Sequence, residues 1–165
     1  AGMGMPPVVA GLVVSMLLWR SGPLGSLGLI YTPAAMVVAQ FVIAMPLIAA
    51  VSAGAVMALP PTLHLQIRAM GAATPQYLWL VAREARLPLL VAVMAGFGSV
   101  VSEVGASMMV GGNLAGDTRV LTTAAVLEVS RGRFGTALAL GMILLALVVV
   151  IAVALSIAQQ RQQRR

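Results

Sequence analysis

Four stretches of this chain come close to the ~20 apolar residues that a helix needs to cross a ~30 Å hydrocarbon core. They cover residues 1–19, 33–59, 88–110 and 134–156. The first holds Pro6-Pro7, where its helix is expected to start, and ends at Trp19-Arg20, a pair suited to a membrane interface. SGPLGSLG then reads as a turn. In the second, Thr32 is placed to cap and Pro33 to open a helix, Pro46 to kink it and Pro60-Pro61 to end it. The third carries one carboxylate, Glu103, within SEVGASMMVGGN, and the fourth is uncharged throughout.

The segments between these runs have a different pattern. In TLHLQIRAMGAATPQYLWLVAREARL, Leu63, Ile67 and Met70 recur at helical spacing, and so do Leu78, Val81 and Ala85. Gly71 follows the first stripe, and Thr74-Pro75 can cap a second helix. Residues 62–87 are therefore expected to form two short amphipathic helices joined by a turn, outside the hydrocarbon. Residues 111–117 read as loop and 118–131 as an amphipathic helix, with Asp117 or Thr118 as its cap and Gly132 beyond its end. The chain finishes in QQRQQRR, a soluble basic tail over 157–165. The expected fold is all-α, a polytopic membrane bundle of about four transmembrane helices forming one domain over 1–165.

Composition makes water an impossible solvent for this pattern. Hydrophobic residues make up 61% of the 165, charged residues 8%, and the mean hydropathy is +1.04; soluble domains carry about 25% charge. The net charge of +6 comes wholly from arginine, since lysine is absent. These arginines lie in small groups between apolar runs, the pattern of loops beside a membrane, and form no continuous face for nucleic acid. By parity, 62–87 and the tail share one side with Arg68, Arg83, Arg86, Arg161, Arg164 and Arg165; the other side has Arg20, Arg119, Arg131 and Arg133. The excess places 62–87 in the cytosol. The opening AGMGMPP lacks both an initiator Met and a basic n-region, so a secretory signal is not expected, and the start is read as processed or as a fragment's edge.

Glu103 lies ~22 Å along a helix counted from Pro88, in the outer half of the bilayer. An ionisable group there costs at least ~2.5 kcal/mol against lipid, so it must face protein or water. Gly96, Ser99, Glu103 and Ser107 form one helical stripe, and Gly98, Ser102 and Ala106 a neighbouring small one, which suits close helix approach. The Gly111-Gly112-Asn113 end can unwind. Two readings stand: Glu103 lines or gates a hydrated path, or it accepts hydrogen bonds and locks helix register.

Catalytic chemistry is not visible. Without lysine there is no phosphate-binding P-loop. Cysteine is absent, His64 is alone, and Glu84, Glu103, Asp117 and Glu128 are spread too widely for a carboxylate pair. The eleven methionines, Met108-Met109 included, read as packing residues rather than metal ligands.

The stretch GFGSVVSEVGASMMVGGNLAGDTRVLTTAAVLE, followed by SRGRFGTALALGMILL, closely resembles the permease subunit of tungstate-type ABC importers. More distantly it is similar to molybdate and sulfate permeases, and SGPLGSLGLIYTPAAMVVAQFVIAMPL matches the same group. The resemblance implies a homodimeric pore in the inner membrane, two ATPase subunits in the cytosol that use ATP and Mg, and an external oxyanion-binding protein. The chain itself would bind no cofactor and would move its solute by alternating access. The stripe and its glycine end make Ser99, Glu103, Ser107, Gly111, Gly112 and Asn113 the expected path or gate residues, and with the resemblance Arg119 at the outer mouth attracts the anion or contacts binding protein or lipid. The family's ATPase-docking motif, E-A-A-x3-G with a downstream L-P, is matched by Gly71 and Leu87-Pro88, while Leu65, Gln66 and Ile67 replace E-A-A and the later spacing is longer. Docking is assigned to Arg68, Ala69, Gly71, Ala72, Thr74 and Pro75, against the plainer alternative of an interfacial helix pair. Family members carry at least one further N-terminal helix. Another solute, or a non-transporting membrane scaffold, remains the alternative function.

Overall fold

The structure, a computed structural model, describes residues 6–163. The described residues form eight α-helices: α1 (Pro7–Leu18), α2 (Pro33–Met57), α3 (Pro61–Ala69), α4 (Thr74–Glu84), α5 (Arg86–Val101), α6 (Gly105–Gly111), α7 (Leu121–Ser130) and α8 (Phe134–Gln163), with a 3-10 turn at Gly25–Leu27. Proline opens α1, α2 and α3 and lies in the first turn of α4, where its missing N–H costs no helical bond. Thr32 caps α2 as its sequence position predicts, accepting from the Ala35 N–H at 3.4 Å. The all-helical membrane fold is as expected, with differences in how the apolar runs are divided.

Among the described residues, two helices are long and apolar enough to cross a bilayer, α2 and the Phe134–Ile157 part of α8. Taken together, α4 and α5 pass as a third span bent by 73°. Arg83, Glu84 and Arg86 sit at that bend, so α5 is the apolar arm and α4 belongs with the polar hairpin. The expected first crossing appears as α1, only 12 residues long, or ~18 Å; residues 1–5 lie outside the described set. The expected third crossing is not one helix, because it breaks after Val101 and resumes at Gly105.

Small residues set the packing. α2 is the spine, and Gly96 of α5 lies so close to it that an added Cβ would strike the Ile48 side chain. Farther along, Gly111 at the end of α6 meets Met36 near the start of α2. The α5–α6 path therefore follows α2 toward its N-terminal end despite the break. α1 lies against α6, where a Cβ on Gly11 would fall 2.6 Å from the Ala106 Cα. Val14, Leu18, Ala35, Met36, Ala39, Ala106 and Val110 form the buried cluster joining the three helices. Without a hydrophobic drive between helices in lipid, such backbone approach maximises van der Waals contact. Gly11→Leu is accordingly expected to force α1 from α6 and cost roughly 1–3 kcal/mol, read as a lower midpoint of thermal unfolding in detergent.

α7 packs along α8, and α8 also touches α5. Elsewhere α8 presents Phe134, Leu138, Met142, Leu145, Val150 and Val153 outward. That surface suits lipid or another helix and is foreign to water.

Candidate functional site

The break between α5 and α6 is built from polar side chains turned onto their own backbone. The Ser102 hydroxyl hydrogen-bonds the carbonyls of Gly98 and Ser99, both at 3.1 Å, which competes with continuation of the helix. Glu103 then reaches forward, and its Oε1 accepts the Ala106 N–H at 2.9 Å. A carboxylate suits this place, because the first N–H groups of α6 lack intrahelical partners and carry partial positive charge. Ser107 lies 1% exposed, with its hydroxyl 3.5 Å from the Glu103 carbonyl. Gly112 closes α6 in the left-handed region at φ 70°, and Asn113 follows at φ 53°.

Past α6 the chain folds into a compact loop around Thr118, which is 1% exposed. Its hydroxyl donates to the Gly111 carbonyl at 2.5 Å and accepts the Leu114 N–H at 2.9 Å. Thr118 therefore ties the loop and does not cap α7. Asp117 does not cap it either: α7 begins at Leu121, after Val120, whose N–H is accepted by the Thr123 hydroxyl at 3.1 Å. Asn113 donates to the Thr123 carbonyl at 3.3 Å. Arg119 is braced by Asn113, donating from Nε to its Oδ1 at 3.2 Å and from Nη2 to its carbonyl at 3.1 Å. Tyr31 closes the same end, its N–H on the Val110 carbonyl at 2.8 Å and its ring edge-on to Trp19 at 6.1 Å. Thr118→Val keeps the shape but strands the Leu114 N–H, so a loss of about 1–3 kcal/mol is expected, measurable by thermal unfolding.

A cavity of about 820 Å³ opens beside this break. Its walls come from Gln40 of α2, Phe97 and Val100 of α5, the linker at Glu103, the loop at Arg119, Thr122 of α7 and Leu144 of α8. Apolar groups dominate, and Glu103 and Arg119 are the charged side chains that line it. The two thus share one chamber, although sequence reading set them apart as gate and mouth.

The other expected path residues separate. Ser107 and Gly111 are packing residues, the latter held between Met36 and Thr118. Ser99 is half-buried and accepts from Ser102; Gly112 shapes the turn; Asn113 holds the Arg119 guanidinium. The stripe Gly96–Ser99–Glu103–Ser107 presupposed one continuous helix, and the break at 102–104 re-aims its second half. Of the neighbouring small stripe, Gly98 and Ser102 are exposed while Ala106 is buried against α1. Gln40, which a hydropathy reading passes over, also lines the chamber and is the lone polar side chain between Pro33 and Val51.

At the far end of α2, α3 and α4 form the expected hairpin. Gly71 turns the chain at φ 73°. Thr74 is the first helical residue of α4 and not its cap; the Gln76 side chain accepts the Ala73 N–H at 3.0 Å instead. Tyr77 binds the two helices, with its hydroxyl 2.9 Å from His64 Nδ1 and its ring 5.3 Å from the Arg68 guanidinium. Arg83 similarly covers Trp79 at 5.2 Å. Between the helices runs an apolar groove of about 620 Å³, lined by Ile67, Met70, Ala72, Pro75, Gln76, Trp79 and Leu80. Met70 is 85% exposed on its edge. Of the residues expected to dock, Ala72 and Pro75 line this groove, while Arg68, Ala69, Gly71 and Thr74 lie exposed around it.

The molecule is thus a helical membrane protein with a charged chamber at a broken helix and a polar helix hairpin at the opposite end. No protein-family model matches it. It is 44% identical over 148 residues to the "Probable anion ABC transporter permease protein" of Haloferax volcanii, covering 87% of this chain and 64% of that protein. It is 40% identical over 146 residues to the "Tungstate uptake system permease protein TupB" of Peptoclostridium acidaminophilum (86% and 62% covered), and 33% identical over 142 residues to the protein of the same name from Campylobacter jejuni (86% and 59%). The chain therefore spans about three fifths of the length of these homologues and is homologous to ABC transporter permeases named for tungstate uptake and anion transport.

Proposed function

We propose that this chain is the membrane-spanning permease subunit of an ABC importer that brings an oxyanion, tungstate foremost, across the inner membrane of a prokaryotic cell. The observation that carries this is the 33–44% identity, spread over most of the chain, to permeases named for tungstate and anion transport. The chamber holding Arg119 and Glu103 is where an anion would pass between helices, and a second copy of the chain would complete the path. The α3–α4 hairpin faces the cytosol and offers its apolar groove to an ATP-binding subunit, which uses ATP and Mg; the permease itself catalyses nothing. An extracytoplasmic binding protein delivers the oxyanion to the Arg119 end. Alternating access follows from this division: nucleotide binding moves the hairpin, and the connected α5 transmits the motion to the break beside Glu103.

The test is reconstitution of the permease with its ATPase and with binding proteins loaded with tungstate, molybdate or sulfate. Stimulated ATP hydrolysis is expected, strongest with tungstate. Stronger stimulation by molybdate or sulfate would reassign the solute, and none with any oxyanion would favour a scaffold.

A further inference from the structure

We infer that Glu103 and Arg119 are alternating partners, the carboxylate serving as a built-in competitor that displaces the transported anion from the arginine. This deepens the importer reading and rests on it.

Glu103 and Arg119 are opposite charges facing one largely apolar chamber. In the present conformation neither is paired with the other. Glu103 spends its Oε1 on the Ala106 N–H, and Arg119 donates to Asn113. Both partners are neutral and local, so each charge is held by its own segment rather than by its opposite. Neither charge lies within a helix. Glu103 stands in the three-residue linker between α5 and α6, and Arg119 follows a loop whose Gly116 adopts φ 81°.

The width of the chamber then decides the pairing. While it is wide and wet, water screens the attraction, and the end edge of the Arg119 guanidinium, which Asn113 leaves unused, can take a tetrahedral oxyanion, whose geometry it matches. As helices close and water leaves, attraction between the fixed charges grows several-fold because the effective dielectric falls. Glu103 then approaches Arg119, and the fork cannot satisfy both anions in a dry space. The carboxylate is tethered and the oxyanion is not, so the oxyanion departs. A carboxylate in an anion path, otherwise a repulsive oddity, becomes the group that prevents the solute from resting on its own receptor.

This makes a kinetic signature that a purely structural cap would not produce. Glu103→Gln keeps an oxygen for the Ala106 N–H but cannot compete for Arg119, so it is expected to lower KM and kcat for oxyanion uptake together. Arg119→Gln is expected to raise KM. In the complex with ATPase and binding protein, Glu103→Gln should lower KM at least about threefold while Arg119 is present but change it less than about twofold in the Arg119→Gln background, the coupling expected of direct competitors. Because the chain has no cysteine, the Val101→Cys/Val120→Cys pair, which lines the same chamber and leaves Glu103 and Arg119 in place, can also be probed in native membranes with a short bifunctional thiol reagent, needing no substrate. Bridging that changes several-fold between nucleotide-free and nucleotide-trapped states supports the exchange. No bridging in either state, or a KM shift from Glu103→Gln that is the same with and without Arg119, overturns it. Loss of oxyanion stimulation in the wild-type complex would instead strike the importer reading, leaving the thiol experiment to decide the pairing.

Discussion

Met70→Asp is expected to abolish co-purification of this chain with the proposed ATP-binding subunit while leaving the chain folded in the membrane. Met70 is 85% exposed, so the substitution disturbs no core of the chain. It stands, however, on the edge of the α3–α4 groove whose floor is Ile67, Ala72 and Leu80. A partner covering that groove would enclose an unpaired carboxylate, and truncation or disruption at such an anchor costs at least ~2 kcal/mol of binding. Affinity should therefore fall at least ~30-fold, while Met70→Leu should bind normally. Full co-purification of the Asp variant would mean that the hairpin merely lies on the membrane.

The second large effect separates two uses of Glu103. Glu103→Ala removes the acceptor of the Ala106 N–H, which is expected to cost about 0.5–2 kcal/mol, as loss of other helix N-terminal caps does. α6 holds α1 through Ala106 and Gly11, so this variant should assemble poorly and transport little. Glu103→Gln retains an acceptor and should assemble normally, yet its uptake is expected to fall about tenfold because the charge is gone. Normal uptake by the Gln variant would reduce Glu103 to a cap. The comparison uses detergent unfolding midpoints for assembly and labelled tungstate uptake for transport.

The hairpin was legible because its signals are punctuated. Pro60-Pro61, Gly71 and Pro75 mark ends that backbone geometry enforces, and apolar positions at helical spacing fill the intervals. α2 and the 134–156 part of α8 were legible for the simpler reason that no charge interrupts them, whereas α8 continues to Gln163 through residues read as tail. The break at 102–104 was hidden by its own surroundings. Apolar runs flank it on both sides, so hydropathy is continuous where the backbone is not. What interrupts the helix is side-chain hydrogen bonding by Ser102 and Glu103, a competition that residue type permits but does not dictate. Thr118 shows the same limit. As a Ser/Thr-type residue before a helix it reads as a cap, whereas its hydroxyl bridges Gly111 and Leu114 across a loop. Glu103 and Arg119 were each picked out from sequence, but their shared chamber depends on the re-aimed chain after the break.

An ATP-driven importer requires the hairpin on the cytosolic side of the membrane. With Met70→Cys as the sole thiol, a membrane-impermeant maleimide should leave intact cells or right-side-out vesicles unlabelled and react after permeabilisation. Labelling from outside intact cells would put the groove away from any ATP-driven partner and contradict the proposed importer.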